Sequence, residues 1–331
     1  MNALTGSTRI SFLFFFISHV PATVLLDGQG SFLPIPYPRP LVDFVDWYAV
    51  TLNDPLFLAK PTWLWLSAFL TGELCLQLPY FFVAIHMLIS KKGTDIYPEW
   101  FRLASLIYGA HTATTLVPIL QILLTNPDAT PFQRLFLSTI YFPYLVFPVW
   151  LIYLCAKAAP AHATMTPFTG STYNAYLGFF ASHIPITLCI DGQAALHASM
   201  YPKSLQNFVS WYAATFHDAL MTAPFDTWFV ALVWCECLFQ FPYFITAVQM
   251  MLSGAKEWPE WFRTASIVYG AHTSTTLLPI MVEICFNEKA SSTWRLYTFL
   301  LYSPYLLFPA GLVYMAVKDS LMNTTPKQKG S

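Results

Sequence analysis

The sequence predicts an all-α integral membrane protein built as two tandem four-helix bundles, with eight transmembrane helices. Hydrophobic residues make up 56% of its 331 residues and charged residues only 10%, against about 25% charged in a typical soluble domain. So few charges cannot cover a soluble surface of this size, which places the apolar side chains against lipid. The apolar stretches also fall into two sets of four that have similar sequences.

Each of these stretches is close to the roughly 20 residues that a helix needs to cross a bilayer. Several contain prolines, which membrane helices tolerate. The predicted spans are near 9–26, 62–90, 101–124 and 135–156 in the first half, and near 173–190, 226–253, 263–286 and 294–317 in the second. The predicted units are a first four-helix unit at 1–158, a linker at 159–171, a second four-helix unit at 172–320 and a cytosolic polar tail at 321–331.

A direct internal duplication covers nearly the whole chain, and such a repeat fixes the architecture. The offset between matching residues drifts only from 164 to 161. The main repeated motifs are Ser18-His19-Val20-Pro21 and Ser182-His183-Ile184-Pro185, Asp27-Gly28-Gln29 and Asp191-Gly192-Gln193, Trp47-Tyr48-Ala49 and Trp211-Tyr212-Ala213, Pro98-Glu99-Trp100-Phe101-Arg102 and Pro259-Glu260-Trp261-Phe262-Arg263, and Tyr108-Gly109-Ala110-His111-Thr112 and Tyr269-Gly270-Ala271-His272-Thr273.

Four spans per copy is an even number, so both copies cross the membrane in the same orientation. With a cytosolic N-terminus, ten Lys and Arg residues lie on the cytosolic side and six on the other, as the positive-inside rule favours. The C-terminal Lys327-Gln328-Lys329-Gly330-Ser331 resembles a dilysine endoplasmic-reticulum retrieval signal, although it also reads as a polar tail. We therefore expect a multi-pass protein of the endoplasmic reticulum with cytosolic termini.

Charge and cysteine content exclude several classes of function. A net charge of −1 gives no basic field for nucleic acid. The six cysteines lie in apolar stretches without zinc-ligand spacing, so we predict no metal site and no cofactor.

Repeated polar residues inside the predicted spans indicate a buried site in each copy. Ionisable groups there cost about 2.5–3.5 kcal/mol each on insertion scales, so they are candidates for function. Glu73 and Gln77 lie one helical turn apart, and Glu236 and Gln240 repeat them. The predicted ligand-binding residues are His19, Gln77, His111, Thr112 and Tyr144 in the first copy and His183, Gln240, His272, Thr273 and Tyr305 in the second.

Three carboxylates per copy are the predicted catalytic residues. They are Asp27, Asp54 and Glu73 in the first copy and Asp191, Asp218 and Glu236 in the second. A carboxyl in a low-dielectric site can stay protonated and serve as a proton donor. Asp54 and Asp218 precede the second span, and the repeated Trp-Tyr-Ala motif upstream indicates a segment that packs on the bundle.

At these residues the chain closely resembles the EXPERA family. The matching motifs are Ser182-His183-Ile184-Pro185-Ile186-Thr187 with Asp191, Trp211-Tyr212-Ala213 with Asp218, Glu236 with Gln240-Phe241-Pro242, His272-Thr273 with Thr275-Thr276-Leu277, and Pro304-Tyr305-Leu306-Leu307, together with their first-half equivalents. The resemblance implies a four-helix unit of the endoplasmic reticulum with a pocket open to lipid.

In receptor-like members of this family, the resemblance implies that Asp27 or Asp191 pairs with a cationic amine and that Asp54 or Asp218 supports it. Other members are sterol double-bond isomerases. Their glutamate-rich third-helix pattern is absent here, where Tyr108–Thr115 carries His111 instead.

Two main functions are compatible with these residues. The first is a membrane enzyme that uses the carboxyls as general acid and base on a hydrophobic substrate such as a sterol, polyketide or other polycyclic lipid. Its reaction would be epoxide hydrolysis, ring-opening cyclisation or double-bond isomerisation, with Asp27 or Asp191 as base and Glu73 or Glu236 as acid. The second is a non-catalytic binder of sterols, lipids or amines in lipid trafficking. A transporter is a third possibility, since parallel repeats occur in transporters. The two halves could also pair with each other within the chain.

Overall fold

The computed structural model describes residues 4–92, 96–160 and 163–324. For residues 323 and 324 it describes only the backbone. The candidate dilysine motif, Lys327–Ser331, lies outside the described residues. The first half contains α1 (Gly6–Leu25), α2 (Arg39–Leu52), α3 (Pro55–Leu58), α4 (Leu64–Gly72), α5 (Leu78–Ser90), α6 (Glu99–Thr125), α7 (Pro131–Tyr141) and α8 (Pro143–Lys157). The second contains α9 (Gly170–Cys189), α10 (Lys203–Phe216), α11 (Thr227–Cys235), α12 (Phe241–Leu252), α13 (Glu260–Phe286) and α14 (Ser292–Thr324).

The predicted all-α class is confirmed for the described residues, where strand structure is limited to a short antiparallel pair. This pair joins β1 (Thr164–Met165) in the connection between the halves to β2 (Trp258–Pro259) ahead of α13. It therefore fastens the interhalf connection to the second bundle.

Six helical segments of the described chain are long and apolar enough to cross a membrane. They are Gly6–Gly30, Leu64–Ser90, Glu99–Thr125, Pro131–Lys157, Thr227–Leu252 and Ser292–Met322. The helices α9 and α13 are not among them, although at 20 and 27 residues they match the lengths of α1 and α6. They are more polar, because Tyr176 replaces Phe12 and Glu283 replaces Ile122. The chain is thus a multi-pass membrane protein with six clear spanning candidates.

The second span of each half contains a π-helical turn, at Glu73–Gln77 and at Glu236–Gln240. The amide of Leu78 bonds to the carbonyl of Glu73, five residues earlier, and Phe241 bonds to Glu236 in the same way. The next residue in each copy is a proline, which has no N–H with which to continue an α-helical bond pattern. Such turns are frequent at functional sites, and here each begins at a predicted catalytic glutamate.

The two halves pack against each other through equivalent residues. Trp65 stacks on Trp228 with ring centroids 5.8 Å apart. Deeper in the interface, His111 Nδ1 lies 2.8 Å from Thr275 Oγ1, and His272 Nδ1 lies 2.7 Å from the matching Thr114 Oγ1. Reciprocal contacts of this kind define a two-fold interface. Equivalent residues meet at both levels, so the two repeats run in the same direction.

A buried ionic network closes the other end of this interface. The fully buried Arg102 guanidinium contacts Glu99 at 2.6 Å and, across the interface, Glu260 at 2.8 Å. Its equivalent, Arg263, pairs with Glu260 at 2.7 Å and with Asp319 at 2.8 Å. The charges are therefore paired within the protein, as buried charges must be.

Candidate functional site

Each half encloses a cavity among its own spans. The first has a volume of about 180 Å³. Its polar lining groups are His19, Asp27, Tyr48, Glu73, Gln77, Thr112, Thr115, Tyr141 and Tyr144. The rest of its wall is aliphatic or phenylalanine, so the cavity combines an apolar body with a few polar groups, as small-molecule sites do.

The second cavity, of about 290 Å³, is built from the equivalent positions. Its polar lining groups are His183, Asp191, Tyr212, Glu236, Gln240, Tyr269, Thr273, Thr276, Tyr302 and Tyr305. The duplication has therefore preserved both sites. We call them the first and second pockets.

The amphipathic helices α2 and α10 cover these pockets. The repeated Trp-Tyr-Ala motif had indicated a packed segment here, but not that it is a helix or that it covers a pocket. Phe44 and Tyr48 line the first pocket, and Phe208 and Tyr212 line the second. Each pair is spaced i, i+4, which places both rings on one helix face. That spacing was the available signal, but the segment is too polar to register as a span.

In the first pocket, the carboxylate of Glu73 is held by polar groups of α1. Thr23 Oγ1 donates a 2.5 Å hydrogen bond to Glu73 Oε1, and His19 Nε2 lies 3.5 Å from the same oxygen. Asp27 follows α1 and lines the same cavity as Glu73. Two carboxyls from different spans therefore face one apolar space.

The second pocket has the same arrangement. Thr187 Oγ1 donates a hydrogen bond to Glu236 Oε1, as in the first pocket, and Asp191 lines the same cavity as Glu236. Two carboxyls in one apolar cavity disfavour each other's ionisation, so that one can stay protonated while the other is ionised. This pair can therefore present one acid and one base to the same molecule.

In each pocket the predicted histidine, on α1 or α9, and the predicted tyrosine, on α8 or α14, form an aromatic wall. The His19 and Tyr144 rings are 4.3 Å apart, and the His183 and Tyr305 rings are 4.7 Å apart. His183 Nδ1 lies 2.5 Å from the carbonyl oxygen of Phe179. A carbonyl only accepts, so His183 Nδ1 carries the proton and Nε2 is an acceptor.

Asp54 and Asp218 lie behind the pockets and line neither of them. Both are buried, at 0% and 2% exposure. Asp54 Oδ1 accepts the Leu56 amide at 3.0 Å, and Oδ2 accepts the Tyr141 hydroxyl at 3.0 Å. Burial raises the pKa of Asp54 above its ordinary 3.8, against the lowering effect of these hydrogen bonds. Asp54 thus positions a pocket tyrosine.

Asp218 does the same in the second half. It accepts the amide of Leu220 at 3.0 Å, and the hydroxyl of Tyr302 at 2.7 Å. Tyr212 of the covering helix also donates to it, at 3.3 Å. Burial raises the pKa of Asp218 as well. Both aspartates therefore tie pocket tyrosines to the start of the second span.

His111 and His272 lie in the interface between the halves and not in either pocket, where we had expected them. Their neighbours on α6 and α13, Thr112 and Thr273, do line the pockets. The polar residues of each helix therefore lie in two different environments, the pocket and the interface. A sequence repeat cannot show this, because the threonines that contact His111 and His272 belong to the other copy.

Comparison with known proteins places the chain in a family. A family model described as EXPERA (EXPanded EBP superfamily) matches residues 40–155 and 204–316, which together exceed half of the chain. The chain belongs to the EXPERA family. Each family segment begins in the covering helix of its half and includes the π-helical turn of that half.

Each of the similar proteins matches a length of about one of the two repeats of this chain. "Sigma intracellular receptor 2" of Homo sapiens is 35% identical over 162 residues, covering 46% of this chain and 90% of the receptor. The Xenopus tropicalis protein of the same name is 39% identical over 143 residues, covering 41% of this chain and 81% of its own length. "Efficient mitochondria targeting-associated protein 19" of Schizosaccharomyces pombe is 30% identical over 142 residues, covering 43% of this chain and 71% of its own. The predicted family and the receptor likeness are confirmed.

Proposed function

We propose that the chain is a membrane enzyme that carries out acid–base chemistry on an apolar substrate in two similar pockets. The supporting observation is the pair of carboxyls, one Asp and one Glu, that faces a mostly apolar cavity in each half. Positioned acid and base groups accelerate proton transfers by about 10²–10⁴-fold. A binder of neutral lipids would gain little from keeping two carboxyls in each of two pockets, because every buried carboxyl is costly.

The hydrogen bonds favour one assignment of roles. Glu73 and Glu236 each accept a threonine hydroxyl, and donors of this kind stabilise the ionised form. We therefore assign the base to the glutamates, and the proton donor to Asp27 and Asp191. The sequence alone had led us to the opposite assignment.

Epoxide opening illustrates the chemistry. The protonated aspartate would donate its proton to the epoxide oxygen as the C–O bond breaks. The glutamate would take a proton from the attacking water or substrate hydroxyl as the new C–O bond forms. The same pair could protonate one carbon of an alkene and deprotonate another. In either case the two pockets suit two successive steps on a sterol, polyketide or other polycyclic lipid.

The test compares Asp27→Asn with Asp191→Asn in the cells that naturally produce the protein, by mass spectrometry of apolar extracts. An enzyme with two working pockets accumulates a defined precursor in each variant, and the two precursors differ if the pockets act in sequence. Thr139→Val is the control, since Thr139 bonds only to its own helix at Leu135. Unchanged extracts in both aspartate variants would contradict catalysis.

A non-catalytic binder of sterols, lipids or amines is the second candidate. Its support is the match to "Sigma intracellular receptor 2" and the presence of Asp27 and Asp191, which the family resemblance assigns to amine binding. A binder predicts that Asp27→Asn and Asp191→Asn reduce retention of a hydrophobic amine while the apolar extracts stay unchanged.

We also propose eight spans, with both termini cytosolic and the protein in the endoplasmic reticulum. Equal lengths and repeat positions support α9 and α13 as counterparts of the spanning α1 and α6. Glycosylation acceptor sites inserted before α2 and before α10 should both be modified, and sites at either terminus should not. Modification before α2 alone would leave both α9 and α13 outside the bilayer, and modification at the C-terminus would leave one of them outside it.

A further inference from the structure

A third cavity lies between the halves, on one side of their interface. Its volume is about 440 Å³, and it is almost entirely apolar. It is formed by the second and third spans of the first half and the third and fourth spans of the second. Its lining residues include Leu76, Gln77, Tyr108, His111, Ser274 and Thr275. We call this cavity the interhalf groove.

Three buried polar atoms of the groove's lining residues lack a hydrogen-bond partner among the described residues, namely His111 Nε2, Tyr108 Oη and Ser274 Oγ. A hydroxyl can donate or accept, whereas a histidine nitrogen without a hydrogen can only accept. His111 is 6% exposed, and its Nε2 atom makes no hydrogen bond within the described residues. Its other ring nitrogen, Nδ1, lies 2.8 Å from Thr275 Oγ1. The single hydroxyl hydrogen of Thr275 is donated to the carbonyl of Ala271 at 2.8 Å. His111 Nδ1 must therefore carry the hydrogen, which leaves Nε2 as a bare acceptor.

The second copy shows how this acceptor is satisfied when no ligand is needed. His272 Nδ1 donates to Thr114 Oγ1, which itself donates to a carbonyl. His272 Nε2 is then an acceptor too, and the amide of Gln240 lies 3.3 Å from it. The Phe239 ring also lies against His272, with centroids 6.3 Å apart. The first copy has the smaller Leu76 at the position of Phe239.

The groove opens toward the outer surface of the bundle, where Leu76 is 57% exposed. A molecule that enters the groove from that side enters from the bilayer. It has to be apolar to match the walls, and it has to carry a hydrogen-bond donor to match His111 Nε2. An unpaired buried acceptor costs free energy that such a donor would recover.

We propose that the interhalf groove binds an apolar alcohol from the membrane, with the alcohol hydroxyl donating to His111 Nε2. This site is separate from the two carboxyl pockets, although Gln77 contributes to the walls of both the groove and the first pocket. The alcohol would be held between the halves, so its binding requires both of them.

The experiment uses the full chain in phosphatidylcholine vesicles with a photoreactive sterol alcohol and with the matching 3-ketone, which has the same shape but no donor. Labelled peptides are mapped by mass spectrometry. The alcohol should label peptides of α6 and α13 that line the groove, with about three- to tenfold higher yield than the ketone, as one hydrogen bond accounts for. Equal labelling by the two probes would overturn the proposal.

Variants provide matched controls. Leu76→Phe reproduces the second copy and should reduce groove labelling by the alcohol, whereas His272→Phe should leave it unchanged. His111→Phe should reduce the alcohol yield to that of the ketone. Labelling that persists in Leu76→Phe would place the alcohol elsewhere. Asp27→Asn tests the proposed enzyme separately, because it alters the first pocket and should leave groove labelling intact.

Discussion

At the scale of single residues, the threonine beside each glutamate is the most specific feature of the pockets. Thr23→Val keeps the shape of the side chain and removes the hydroxyl that Glu73 accepts. Hydrogen bonds to charged groups contribute about 1.5–3 kcal/mol, so turnover in the first pocket should fall roughly ten- to hundredfold. Quantifying the precursor in apolar extracts measures this, with Thr139→Val as the lipid-facing control. Equal turnover in Thr23→Val and Thr139→Val would contradict a role for Glu73 in the reaction.

Asp54 gives a second prediction, concerning the pH dependence of stability. Burial raises its folded-state pKa above 3.8, so between 3.8 and that raised value the folded protein binds more protons than the unfolded chain. The free energy of unfolding therefore falls as pH rises through this window. Asp54→Asn removes the titration and can still accept the Leu56 amide.

The melting temperature in detergent should show this effect as a difference between proteins. The value for Asp54→Asn minus that for wild type should increase as pH rises from about 3.8, the ordinary pKa. Asp218→Asn should behave alike. A difference that stays constant with pH would mean that Asp54 has an unshifted pKa.

At the scale of helices, one glycine in each half allows two helices to approach closely, α6 and α8 in the first half and α13 and α14 in the second. A Cβ added to Gly109 would lie 2.9 Å from the carbonyl of Pro148, and one added to Gly270 would lie 2.7 Å from that of Pro309. Overpacking of this kind costs about 1–3 kcal/mol. Gly109→Ala and Gly270→Ala should therefore lower the free energy of unfolding. In α9, Gly178 has no atom within 4 Å of its added Cβ, so Gly178→Ala should be neutral or stabilising.

Thermal unfolding in detergent distinguishes these variants. An equal change in melting temperature for Gly109→Ala and Gly178→Ala would show that helix propensity alone determines the effect of these substitutions. The close approach of the helices would then not contribute to stability.

The helices also show how far the sequence could predict the structure. Repeats and apolar stretches were sufficient for the order of the long apolar helices and for the placement of Glu73 and Gln77 in one pocket. The π-helical turns were not predicted, because Pro79 in a membrane helix can be accommodated by a kink as well as by an inserted residue. The covering helices were missed because their apolar faces are narrow and their length is below that of a span.

At the scale of the whole molecule, the helix faces that meet determine whether a polar side chain lies in a pocket or in the interface between the halves. The pocket aspartates and glutamates were predictable, since each copy repeats them on its own spans. His111 and His272 were not, because their partners Thr275 and Thr114 belong to the opposite copy. A pattern within one copy carries no information about that contact.

The last prediction follows from this interface. Fragments 1–158 and 159–331, coexpressed as separate chains, should purify together, because equivalent residues meet at three levels of the interface. Arg102→Leu leaves the carboxylates of Glu99 and Glu260 without this cation, and breaking a buried ion pair costs about 3–5 kcal/mol. Recovery of the second fragment should then fall at least tenfold. Arg134→Leu is the matched control, since Arg134 bonds only within the first half, to Ala129. Glu260→Gln in the second fragment tests the same contact from the other side. If Arg102→Leu and Glu260→Gln both leave recovery unchanged, the ionic network does not hold the halves together.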